Sequence, residues 1–202
     1  MAAPAPAPDA ERRQAAILFA ELRNFTRLSE VLPPDKVLEL ANDFFSFCAM
    51  AITANKGKVL SVQNDALIAA FAAAQPAEFA ARSLKAARDL QREFGQLGEQ
   101  WKAQYGLPAA VSCALHPGEA VFGMAGPIGA RQFAAFGDCV SICERLVHRA
   151  RAGEVVLSLD FMKALGAAAQ SLAVEELPPL EIAKRSPIPL YGIVLNTRLD
   201  FT

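Results

Sequence analysis

The sequence predicts a single α+β domain, and three observations predict it. Short apolar runs of strand length, bounded by turn residues, alternate along the chain with stretches of helical period. At 202 residues the chain is about one domain long and can bury a full core without staples. Its composition, 53% hydrophobic and 20% charged, excludes an intrinsically disordered chain. No internal repeat of fixed period is present.

Residues 1–11 alternate Ala with Pro and then turn polar, which predicts a disordered tail or linker stub and leaves 12–202 as the domain. AAILFA at 15–20 has the length of a buried strand. Pro33-Pro34 punctuates. Apolar residues then recur at 37, 40, 41, 44, 45, 48, 51 and 52, a helical period ending at Asn55-Lys56-Gly57, where Gly57 supplies the left-handed stop. Residues 57–63 and 66–72 read as strands joined tightly at Asn64-Asp65. A second long helix over 77–104 carries Ala80, Leu84, Ala87, Leu90, Phe94, Leu97 and Trp101 on one stripe, with Gly95 and Gly98 weakening its last turns. Residues 108–116 and 119–126 read as a strand pair about a turn at His116-Pro117-Gly118, and 131–136 as a further strand. The chain closes with a helix over 139–151 stopped by Gly153, a strand at 154–158, a short helix at 160–165, and strands around 172–176 and 188–195.

Twenty basic against 21 acidic residues give a net charge of −1, so the chain lacks the basic field of a nucleic-acid binder. The longest apolar run, 66–74, is half of what a membrane span needs, about 18 residues. The start has neither the charged nor the apolar region of a signal peptide. Cys48, Cys113, Cys139 and Cys143, without short-range pairing, point to a reducing cytoplasm.

Two acids stand out by position. Glu21 follows the first apolar strand directly, and Asp65 sits at a hairpin tip. If their strands are neighbours, both carboxylates emerge at one sheet edge, a hard-oxygen donor pair suited to Mg²⁺. The same positions equally suit a turn residue and a solvated strand-end acid. Other candidates carry less. Cys139, Cys143 and His148 lack a fourth zinc ligand and read as buried small hydrophobes plus a surface His. His116 reads as a turn residue, Lys184-Arg185 is too short for a nucleic-acid patch, and Phe44, Phe45 and Phe47 read as core and subunit-facing surface.

ILFAELRNFTRLSE at 17–30 resembles the opening FADIRGFTxLSE of class III adenylyl/guanylyl cyclase domains, and the match continues through Pro34, Val37, Leu40, Asn42 and Phe45. NKGKVLSVQNDALIAAF at 55–71 is similar to that family's GGxxxKxxGDAxxAxF hairpin. HPGEAVFGMAGPIGARQFAAFGDCVSICERL at 116–146 follows its HxG…YTxxGDxVNxAxRL pattern, and LPPLEIAKRSPIPLYGIV at 177–194 resembles its closing strands. The resemblance implies a ferredoxin-like βαββαβ palm with additional C-terminal elements. It also implies head-to-tail dimers, homo- or heteromeric, with the site in the dimer cleft. There, two carboxylates of one protomer hold Mg²⁺ or Mn²⁺ for attack of the ribose 3′-hydroxyl of ATP or GTP.

Carried over residue by residue, the resemblance puts the metal carboxylates on Glu21, where the family has Asp, and on Asp65. The base-reading Lys falls on Ser61 and its acceptor partner on Ala134, so neither half of the adenine code is present. The Asn near the transition state falls on Ser141, and the Arg is retained as Arg145. Arg145 also reads as a surface ion-pair residue beside Glu144 and Arg149, and Asp65 as an Asx turn. The expectation is a cytoplasmic cyclase-homology domain that has lost nucleotide selection and serves as a dimerising or regulatory module. The alternatives are an active cyclase with unusual base recognition, and a half-site completed by a heteromeric partner.

Overall fold

The computed structural model describes residues 10–194. Its elements in chain order are β1 (Glu11–Arg23), α1 (Phe25–Val31), α2 (Pro34–Ala54), β2 (Lys58–Gln63), β3 (Ala66–Ala72), α3 (Pro76–Tyr105), β4 (Ala110–Ala125), β5 (Gln132–Phe136), α4 (Asp138–Val147), β6 (Glu154–Ser158), α5 (Leu159–Leu165), a 3₁₀ turn (Gly166–Ser171), β7 (Glu175–Leu180) and β8 (Ile188–Val194). The strands form one sheet in the order β2-β3-β1-β4-β6-β8-β7, with β5 added beside β4. The first four of these, with α2 and α3, are the βαββαβ palm. Every pairing is antiparallel except β4 with β6.

The sheet has two apolar faces, and β1 supplies both. Ala16, Leu18, Ala20 and Leu22 join the cluster beneath α2, α3 and α5, where Phe94 meets Phe44 and Trp101 edge-on. Ala15, Ile17 and Phe19 join the cluster on the opposite face, with Cys139, Ile142, Cys143 and Leu146 of α4. This period-2 split is the strand geometry expected of a central strand buried on both sides. Among the described residues α2 alone is long and apolar enough to cross a membrane by length and composition. Here Leu40, Phe44, Cys48 and Ile52 of that helix lie in the core.

Several elements differ from the sequence expectation. β1 starts at Glu11, ahead of the apolar run, because β4 pairs with it as far back as Glu11↔Phe122. The same pairing runs straight through Ala16↔Pro117 and Ala15↔Gly118, so 110–125 is one strand and not a hairpin. Pro117 falls between the stretches of β4 that pair with β6 and β5, where a missing N–H is tolerated. Gly118 is required there because a Cβ would stand 2.6 Å from that of Cys139. His116 is therefore a buried strand residue, sharing a 2.7 Å hydrogen bond with the hydroxyl of Ser158, which caps α5. α4 ends at Val147, not 151, because Arg23 takes the carbonyls of Val147 and Ala150. α1 and the 3₁₀ turn lack a sequence signal of their own, and the strand placed at 172–176 lies at Glu175–Leu180. Leu195, placed in the last strand, lies outside the described residues, as do 1–9.

After α2 the left-handed residue is Lys56, with φ of 61°, rather than Gly57. Gly57 is needed for space: a Cβ would stand 2.5 Å from the Phe71 ring and 2.8 Å from Ile52. Gly57→Ala is expected to cost about 1–3 kcal/mol by overpacking, read as a lower urea midpoint at unchanged slope. Burial holds the His116 imidazole below its usual pKa of 6.5, with Asp160 and Asp138 pulling partly the other way. The folded state thus favours neutral His116, so its contribution is complete above pH 6.5 and is lost as pH falls below that value. Urea midpoints measured from pH 7.5 down to 5 should fall more steeply for the wild type than for His116→Gln.

Candidate active site

At one end of the palm, Glu21 is the first residue of β1 after the run that both faces bury. It pairs with Ala66, the first residue of β3. The two-residue turn before β3 holds Asn64 at φ 49°, a conformation Asn accepts readily, and the Asp65 carbonyl accepts a 2.8 Å bond from Leu22 N–H. The turn is thereby tied to the end of β1, and Glu21 and Asp65 come together. They line a common cleft of about 260 Å³ with Gln63, Glu144 and His148.

Glu21 is an uncomfortable carboxylate. Its side chain is 13% exposed; Oε1 forms an ion pair with Arg23 Nη1 at 2.7 Å, and His148 Nε2 lies 3.9 Å from Oε2. Oε2 is buried without a hydrogen-bond partner. Burial pushes the carboxyl above its usual pKa; Arg23 and His148 pull it back, and Asp65 raises it further. Two hard-oxygen groups, one with an orphaned oxygen, fit a divalent cation. No group of three or more His, Cys, Asp or Glu side chains able to hold a metal occurs among the described residues. A cation held by Glu21 and Asp65 would therefore take most of its ligands from water or substrate, the usual habit of Mg²⁺.

α4 is preceded by Gly137, where a Cβ would meet the Glu119 carbonyl oxygen at 2.6 Å, so only Gly lets the helix dock this closely on β4. Ser141 and Arg145 lie on its exposed face. Arg145 forms no ion pair with Glu144, and Arg149 carries the same charge; the charge of Arg145 favours ionised Asp138, which is itself bound to Arg185 at 2.6 Å. Glu144 and His148 of this helix end line the Glu21–Asp65 cleft, and Ser141 and Arg145 do not. One chain thus assembles the carboxylate pair and presents Ser141 and Arg145 elsewhere. The Cys139–Cys143–His148 set is no metal site, since Cys143 Sγ donates to the Ile17 and Ala114 carbonyls and burial pushes its thiol pKa up.

Ser61 lies on β2 and Ala134 on β5, both half-buried. Lys58 of β2 sits 3.2 Å from the centroid of the Phe133 ring, beside Ala134 in the chain. The β2–β3 register shifts between Val59 and Ser61. Lys58 pairs with Ala70 and Ser61 with Ile68, two residues of one face, so Lys58 and Ser61 share a face that a regular strand would deny them. No feature of the sequence announces that shift. Arg23 was also missed, although its spacing of two from Glu21 along a strand was the available signal.

The profile of the adenylate and guanylate cyclase catalytic domain matches residues 8–194. The chain is 26% identical over 140 residues to adenylate cyclase 1 of Rhizobium meliloti, covering 67% of this chain and 20% of that protein. It is 27% identical over 140 residues to the adenylate cyclase of Anabaena cylindrica, covering 68% and 27%. The chain thus spans about a quarter or less of these relatives. Its fold matches that of the adenylyl cyclase CyaB from P. aeruginosa, with TM-score 0.84 at 19% identity over 96% of this chain and all of the other. It matches the guanylyl cyclase Cya2 with TM-score 0.79 at 23% identity, over 91% and 92%. With its palm, its carboxylate pair and a profile match along nearly its whole length, the chain belongs to the adenylate and guanylate cyclase catalytic domain family.

Proposed function

We propose that this chain is a cytoplasmic cyclase-type signalling domain whose nucleotide selection is lost and whose role is dimerising and regulatory. The observation that carries the reading is the corner formed by β2 and β5. Ser61 brings a hydroxyl on a short stem, and Ala134 brings a methyl group. Discrimination between bases rests on buried groups left unpaired by the wrong ligand, and these two side chains leave almost nothing to unpair. Phosphate contacts are blind to the base and hold ATP and GTP alike.

The second reading is an active cyclase with unusual base recognition, and the geometry of Glu21 and Asp65 favours it. These residues would hold Mg²⁺ or Mn²⁺, which supplies charge stabilisation for phosphoryl chemistry when bound. In that reading Arg145 and Ser141 serve the transition state from the opposite protomer. A heteromeric version pairs Glu21 and Asp65 with the base readers of another chain. For the dimer, the support is apolar surface on the strands that would meet a partner: Ile128 is 94% exposed in the β4–β5 loop and Phe136 62% at the end of β5, with Val62 and Met124 also exposed.

Two measurements test this. Cyclic-nucleotide formation with ATP and GTP separately, in Mg²⁺ and in Mn²⁺, is expected to be absent or weak. A robust product lost in Arg145→Ala establishes the active reading instead. Binding of the two triphosphates in Mn²⁺ is expected to differ by less than about tenfold, roughly 1.4 kcal/mol. A larger preference assigns a recognition group to this corner, and Lys58, on the face of Ser61, is the first to substitute. Solution scattering should show a dimer at high concentration, with monomer alone removing dimerisation from the proposal.

A further inference from the structure

Arg23 is tied at four points. Its Nε donates to Ser112 Oγ at 2.8 Å, and Nη2 donates to the Val147 and Ala150 carbonyls at 2.6 and 2.7 Å. Nη1 meets Glu21 Oε1 at 2.7 Å. Ser112 is itself fully buried and donates to the Arg151 carbonyl at 2.7 Å. Three of the four ties are to backbone or to a hydroxyl on the neighbouring strand, so the guanidinium stays in place whether or not Glu21 does. Residues 21 and 23 share a face at the end of β1. A fixed cation therefore stands beside a carboxylate that burial makes uncomfortable, and it engages Oε1, leaving Oε2 without a hydrogen-bond partner.

We propose that Arg23 is a resident counter-cation for Glu21, so that a divalent ion at Glu21 and Asp65 binds only by drawing Glu21 away from it. The inference rests on reading the two carboxylates as a cation site. The moving part is Glu21, because it is held by the Arg23 ion pair and by the longer 3.9 Å approach of an exposed His148, whereas Arg23 is anchored by Ser112 and by the end of α4. The guanidinium, planar and forked, satisfies the helix carbonyls and the carboxylate together, a combination that a Lys ammonium does not reproduce. When Glu21 swings towards Asp65, the hold of Arg23 on α4 persists. Arg23 is thus a positioning residue that weakens and regulates metal binding without touching the metal.

The test is direct Mn²⁺ binding to the whole chain near neutral pH, followed by the electron paramagnetic resonance signal of the free ion, with thermal melts of each variant. The wild type is expected to bind weakly and Glu21→Gln not at all. Arg23→Gln should bind about tenfold more tightly, the scale of one charge-assisted contact removed. Arg23→Lys, which keeps a cation without the fork, should fall between the wild type and Arg23→Gln; a purely structural role would make Lys and Gln alike. If melts show Arg23→Gln unfolded, Ser112→Ala, which removes the Nε tie and also one bond to the Arg151 carbonyl, takes its place and, by loosening the guanidinium beside Glu21, should tighten binding severalfold. A folded Arg23→Gln, or Ser112→Ala in its stead, binding no more tightly than wild type overturns the proposal while Glu21-dependent binding keeps the cation reading. Absence of Mn²⁺ binding in every protein up to millimolar concentration overturns both.

Discussion

The constraint on which the rest of the structure depends is that β1 lies between β3 and β4 and is covered on both faces. From Ala15 to Ala20 no residue is more than 2% exposed. A strand in that setting carries nothing polar along its covered run, and the first position past that run, still paired on both sides, is Glu21. Pairing of β1 with β3 then fixes where the β2–β3 turn falls, and the Leu22–Asp65 backbone bond closes it against the strand end. The two carboxylates are neighbours because of register, not because of any attraction between them. Their charges repel, and Asp65 makes Glu21 harder to ionise.

That repulsion is offset from one side only. Arg23 is close and well anchored, while His148 is mostly exposed and 3.9 Å away, too far for a hydrogen bond. A half-satisfied buried carboxylate is a poor way to stabilise a domain, because the desolvation it suffers is not repaid in full. Replacing it by an apolar residue of similar size would relieve the fold. The cost lies at the edge where a cation has room to arrive, which is the pattern expected where structure is held for a ligand rather than for itself.

Much of this was legible in the sequence, for identifiable reasons. The stripe of Ala80, Leu84, Leu90, Phe94 and Trp101 has a period that only a helix satisfies, and it is the face α3 buries. Asn64-Asp65 marks its turn by residue type alone. Pro117-Gly118 misled for the same reason that Asn64-Asp65 informed: a turn signal is local, and a long partner strand overrides it. The hold of Arg23 on α4 joins residues more than 120 apart and has no local trace. The register shift that turns Lys58 onto the face of Ser61 is likewise a property of two strands together.

The motifs that resemble the cyclase family divide into two kinds when their surroundings are compared. Gly118 and Gly137 are required by close packing of α4 on β4, where a Cβ at either would stand 2.6 Å from another heavy atom. Cys143 lies fully buried between β1 and β4. Substituting any of these damages the fold, so their presence testifies to architecture and says little about chemistry. Ser61, Ala134, Ser141 and Arg145 are half-buried or exposed and hold no core together, so they are free to change without unfolding the domain. In the proposed reading Ser61 and Ala134 therefore bear on a task, whereas Gly137 bears on packing alone. Glu21 belongs to neither kind, being buried enough to be costly and unnecessary to the packing. In the proposed reading, a costly acid set beside Asp65 and paired with Arg23 is the physical argument that cation binding is kept where base reading is not.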